Sequence, residues 1–162
     1  MGHGSMHQQG FTLIELVCIL VLLGVLATGI YIQWPGAVIS LGAQAHQLAN
    51  DVRYTQALSM TKGQRYQLTI TSSTAYQILN SSGTAIVNTM GATTTALKSG
   101  VTFGTLSNLP NSLIVFNGQG IPYIDTSSPG TTLSTTASIP LVGGGVTKTI
   151  IISPQTGRVI VQ

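Results

Sequence analysis

Hydrophobic and polar positions divide this chain into three regimes. Residues 11–32 are almost uniformly apolar and carry one charge, Glu15. As a helix they rise about 33 Å, enough to cross a hydrocarbon core of about 30 Å. Pro35-Gly36 predicts a kink or a melted stretch just beyond, because proline removes a backbone donor and clashes with the preceding turn. Tyr31 and Trp34 fit anchors at a membrane interface. Helical spacing then resumes. Val38, Leu41, Ala45, Leu48 and Val52 make one apolar face, with Gln44, Gln47, Asn50, Asp51 and Arg53 supplying much of the remaining surface. Lys62-Gly63 predicts the stop, a cation in the last turn and then a left-handed cap.

From Gln64 the period changes to two. Residues 66–71 and 75–79 alternate as strands, and the turn Asn80-Ser81-Ser82-Gly83 leads to a short strand at 84–87. Residues 89–99 read as loop. Short strands are expected at 101–105, 113–116 and 121–124, the last two separated by Asn117-Gly118-Gln119-Gly120. Residues 138–142 make a strand in which Pro140 predicts a sheet edge. Gly143-Gly144-Gly145 is a turn, and residues 149–152 and 159–161 form a final hairpin around Pro154-Gln155-Thr156-Gly157. The expected architecture is α+β, divided into a leader (1–10), a transmembrane or filament-core helix (11–34), an amphipathic helix (35–63) and a β-rich head (64–162).

Composition narrows the function. Charged residues are 6% of the chain, far below the usual quarter, and Ser and Thr fill the polar positions. This suits an extracytoplasmic or covered surface better than a cytosolic enzyme. From Gly36 onward six Lys/Arg face two Asp, but Arg53, Lys62, Arg65, Lys98, Lys148 and Arg158 are scattered, so charge alone argues weakly for nucleic acid. The single cysteine, Cys18, lies in the apolar run and reads as a small lipid- or helix-facing residue. No disulfide or zinc spacing exists. His46 and Asp51 have no nucleophile beside them, and His3 and His7 fall in the leader. No catalytic residues, metal or cofactor are expected. Gly118-Gln119-Gly120 lacks a phosphate-loop fingerprint, and Asn80-Ser81-Ser82 matches a glycosylation triplet only formally. Gly24 and Thr28, four apart, allow close helix approach.

Glu15 needs a reason, because a carboxylate at the centre of a membrane span costs about 2.5–3.5 kcal/mol. Two readings stay open. Cleavage between Gly10 and Phe11 creates an amine four residues away, a partner for Glu15 within one chain or between neighbouring helices. Alternatively, Glu15 complements the helix dipole in a first turn. A conventional secretory signal cleaved near Ala27-Thr28-Gly29 is a further alternative, with a mature start near Ile30.

Gly10-Phe11-Thr12-Leu13-Ile14-Glu15-Leu16, followed by the apolar run, resembles the cleavage and methylation motif of type IV pilin-like proteins. The resemblance implies that prepilin peptidase cuts after Gly10 and N-methylates Phe11, and that Glu15 aids filament assembly. The leader departs from the family pattern in lacking Lys or Arg. Three further stretches extend the resemblance: residues 51–58, 114–122 and 151–159. Together they are similar to the GspH/FimT family of minor pseudopilins and minor pilins, and to mannose-sensitive haemagglutinin-type minor pilins. This implies a long N-terminal helix packed on an antiparallel two-sheet head, and no enzyme activity. The implied partners are other pilins or pseudopilins, prepilin peptidase and the inner-membrane assembly platform. The implied location is the bacterial inner membrane, single-pass, with the head in the periplasm before entry into a pilus or pseudopilus. Some pilus members bind DNA through a Gly-Arg-x-Arg tail. Here that tail is Gly157-Arg158-Val159-Ile160, without the second arginine, so DNA contact through Arg158 is possible but not favoured.

Overall fold

The computed structural model describes residues 12–29 and 36–162. The leader, the Gly10–Phe11 bond, Tyr31, Trp34 and Pro35 lie outside them. Helix α1 spans Leu13–Gly29. It is opened by the Thr12 carbonyl, which accepts from the N–H groups of Glu15 and Leu16 at 3.0 and 3.2 Å. Leu13, Leu16, Leu20 and Leu23 are all exposed, along with most other apolar side chains of this helix. Seventeen residues rise about 25 Å. Among the described residues no helix is long and apolar enough to cross a membrane.

Helix α2 spans Gly36–Lys62 and ends where the sequence predicts, with Gly63 at φ +63°. Ten strands follow: β1 (Tyr66–Ser72), β2 (Ala75–Leu79), β3 (Ala85–Ile86), β4 (Thr95–Ala96), β5 (Val101–Phe103), β6 (Leu113–Phe116), β7 (Pro122–Tyr123), β8 (Ala137–Gly143), β9 (Val146–Ile152) and β10 (Val159–Val161). They form two antiparallel sheets. One has the order β3-β2-β1-β6-β7, with β4 sharing the β2 edge, and the other runs β10-β9-β8-β5. Gly144 and Gly145, both at positive φ, make the two-residue β8–β9 turn.

Helix α2 packs on β1 and β6 of the first sheet and on β8, β9 and β10 of the second. Its Leu41, Ala45, Leu48, Ala49 and Val52 are fully buried among Leu68, Ile114, Phe116, Ile139, Ile150 and Ile152. Each fully buried Leu, Ile or Val contributes about 1.5–3 kcal/mol. Across the core Tyr76 meets Phe103 edge-to-face, with centroids 6.2 Å apart.

Three expectations are corrected. Gln44 and Asp51 are not surface residues but are buried. A helix pressed by two sheets buries a wider arc than its apolar stripe, so a second stripe, Gln44, Leu48, Asp51, Thr55 and Ser59, also lies inside. Its polar groups are satisfied within the fold. Gln44, Thr55 and Ser59 donate to carbonyls four residues back, and the Asp51 carboxylate accepts from the Tyr76 hydroxyl at 2.7 Å and the Thr89 hydroxyl at 2.5 Å. Pro140 does not mark an edge, since β8 lies between β9 and β5. Its carbonyl accepts from Gly104 N at 2.8 Å, and N and O of one strand residue face the same neighbour. The missing donor therefore points past Phe103, where β5 has ended. Residues 89–99 are not wholly loop, because Thr95 and Ala96 pair with Tyr76 and Ala75.

Burial pushes the Tyr76 hydroxyl far above its usual range, and its hydrogen bond to Asp51 and that carboxylate's charge push it further, so it stays a donor. Tyr76→Phe is expected to cost about 1.5–3 kcal/mol, the value of a hydrogen bond to a charged group, measured by denaturant unfolding. A loss below about 0.5 kcal/mol would contradict the anchoring role of this contact.

Candidate functional site

The N-terminal candidates separate. Gly10 and Phe11 fall outside the described residues, whereas Glu15 stands exposed in the first turn of α1. A carboxylate there complements the positive end of the helix dipole. Cys18 is exposed on the same helix, and a Cβ at Gly24 would meet nothing within 4 Å. His46 is exposed while Asp51 is buried, so the two form no site. Among the described residues no group of three or more His, Cys, Asp or Glu could hold a metal ion.

The three head motifs, distant in sequence, meet at the C-terminal end of α2. Gln56 Nε2 donates to the carbonyls of Gly120 at 2.8 Å and Thr156 at 2.9 Å, which ties both glycine turns to the helix. Asn117 shapes its own turn through Oδ1, which accepts from the N–H groups of Gln119 and Ile121. Gly157 closes the contact. A Cβ there would lie 2.5 Å from Gln56 Nε2 and 2.8 Å from Phe116 Cε1, at φ +62°. Arg53 adds a second tie, donating to Val159 O at 2.9 Å and to Asn50 Oδ1 at 2.8 Å. Sequence patterning places these turns but not their convergence, and it misses Gln56. The available signal was a long amide side chain beside the buried helix face, which many surface glutamines share.

The basic residues also divide by role. Arg65 donates to the carbonyls of Ser127 and Pro129 and stacks 4.6 Å over the Tyr123 ring. It thus holds a loop built on Asp125, whose carboxylate accepts from Ser127 N at 2.9 Å and Thr131 N at 2.8 Å. Arg53 and Arg65 are therefore committed to backbone carbonyls, and Arg158 is left exposed at the final turn. One exposed arginine does not make the clustered cations of a phosphate footprint.

Residues 5–31 match the prokaryotic N-terminal methylation motif, and residues 44–156, more than two thirds of the chain, match the family Type II transport protein GspH. The chain belongs to the GspH family. No curated protein matches it. Among solved structures, this GspH-family chain is similar to the type IV minor pilin FimU of Pseudomonas aeruginosa, with a TM-score of 0.55 and 14% identity, over 75% of this chain and 87% of that one. It is also similar to the minor pseudopilin EpsH from the type 2 secretion system of Vibrio cholerae, with a TM-score of 0.54 and 12% identity, over 76% and 96% of the two chains. At such identities these likenesses establish the fold. The α+β architecture is that of structural pilins, and the chain is a structural subunit of the pilus or pseudopilus class.

Gly157→Ala is expected to destabilise the head by more than about 1–3 kcal/mol, since it adds overlap with Gln56 and Phe116 to left-handed strain. Gly145→Ala, at φ +75° with open space around its Cβ, carries only the strain and serves as the control in thermal unfolding. The Asp125 loop has a pH signature. The Thr131 hydroxyl and N–H, with Ser127, hold the carboxyl below its ordinary 3.8. A depressed folded value stabilises the loop above the unfolded one, and that contribution is lost as pH falls through the folded value. Carboxyl NMR titration is expected to show an Asp125 midpoint below 3.8, and a midpoint at or above it would contradict the loop geometry.

Proposed function

We propose that the chain is made with a leader at residues 1–10, cut by prepilin peptidase between Gly10 and Phe11 and N-methylated at Phe11. The mature chain sits in the bacterial inner membrane through residues 11–34, with its head in the periplasm. It then enters a type II secretion pseudopilus or a type IV pilus as a minor subunit. The observation that carries this reading is the union, in one chain, of a methylation motif, an apolar α1 and a GspH-type head. A helix apolar on every side belongs in lipid or against other helices, and a row of such helices is what a filament core needs.

Glu15 is the proposed assembly residue. Near the end of an apolar helix its charge is costly unless a partner meets it, and the methylated Phe11 amine of the same or a neighbouring chain is the cation at the right end. Pairing sets the axial register of helix against helix. The neighbours in this reading are other pilins or pseudopilins, the peptidase and the inner-membrane assembly platform. A DNA-uptake role through Arg158 is not favoured, because Arg53 and Arg65 are spent on the fold.

Intact mass of the native protein is expected to give a chain starting at N-methylated Phe11. A start near Ile30 would instead support a conventional signal peptide and overturn the processing reading. Glu15→Ala is expected to leave the head folded and to reduce incorporation into isolated filaments several-fold. Wild-type incorporation of that variant would refute the pairing role.

A further inference from the structure

The first sheet has a second polar site on the face away from α2. Leu68 of β1 is buried in the core, so its neighbour Gln67 points to the opposite face. Gln67 lies between Val115 of β6 and Leu79 of β2 in register. It is nonetheless only 9% exposed, and Val115 beside it only 2%. The two form the floor of a cleft of about 680 Å³, within the usual range for small-ligand sites. One wall is the β2–β3 turn at Ser81 and Ser82, the other the Asp125 loop at Thr126 and Ser128, and Tyr66 lines it near the start of β1.

Among the described residues the Gln67 amide has no hydrogen-bond partner within the protein, and it opens to solvent in the cleft. Two residues on, and so on the same face of β1, the Thr69 hydroxyl oxygen is buried without a partner. The cleft lining holds amides and hydroxyls and no carboxylate. Its cation, Arg65, is already committed to the Ser127 and Pro129 carbonyls.

We infer that this cleft binds a neutral saccharide. Adjacent hydroxyls on a sugar ring offer a donor and an acceptor side by side, which is what a primary amide with both halves free requires. The serine and threonine walls would take the outer hydroxyls. A charged ligand has no free counter-charge here, whereas a neutral polyol needs none.

The test uses the full chain in a zwitterionic detergent without a sugar headgroup. Saturation-transfer NMR is run with maltose, lactose and diacetylchitobiose, and with a neutral Ser/Thr/Gln tetrapeptide. At least one sugar is expected to bind saturably, and Gln67→Met, close in volume but without the amide, to weaken it about tenfold or more. Ser81→Trp, which fills the mouth from an exposed turn, is expected to abolish binding with the fold intact, and it serves as the readout should Gln67→Met fail to fold. Three results overturn the proposal: no sugar binds, the tetrapeptide binds in place of the sugars, or sugar binding survives in a folded variant.

Discussion

One helix must serve two sheets that share no strand, and the rest of the head follows from that constraint. Helix α2 lines β1 and β6 on one side and β8, β9 and β10 on the other. A helix against a single sheet can leave most of its circumference wet. Here the buried arc also takes in Gln44, Asp51, Thr55 and Ser59. An unpaired buried carboxylate would be worth several kcal/mol against folding. Asp51 is tolerated because two hydroxyls donate to it, one from β2 and one from the segment after β3. The same carboxylate thereby pins that segment to the helix. Gln44 repeats the device nearer the helix N-terminus, where its Oε1 accepts from Lys98 N at 2.6 Å.

The far end of α2 works by close approach. Gln56 reaches two carbonyls in turns of two different sheets, and Gly157 leaves the space that its amide occupies. Arg53 reaches the last strand one turn earlier. The three motifs that relate this head to its family are thus parts of one junction. They hold the β6–β7 and β9–β10 turns against the helix, and the head owes them rigidity, not chemistry. That suits a subunit whose proposed work is to be packed and moved.

The two ends of the chain use polar groups in opposite ways. In the head nearly every buried polar atom is satisfied within the fold. On α1 one carboxylate stands on an otherwise apolar helix, and in the proposed reading its partner comes from the processed terminus or from a neighbour. The proposed filament role lives in the second arrangement, and Thr69 of β1 is the place in the head where the first is incomplete.

The sequence by itself determined the element types, the end of α2 at Gly63, most strands and the family, because periodicity, caps and a contiguous motif are local. It placed Glu15 in a first helical turn for the same reason. It could not place Asp51, Gln44, Gln56 or Pro140. An aspartate on a helix reads as solvated until a second sheet covers it, and a proline reads as an edge until its missing donor is found to face a strand that has already ended. Only the tertiary structure decided those positions, because burial and hydrogen-bond partnership depend on residues 25 to 100 positions away, and no local pattern encodes such distances.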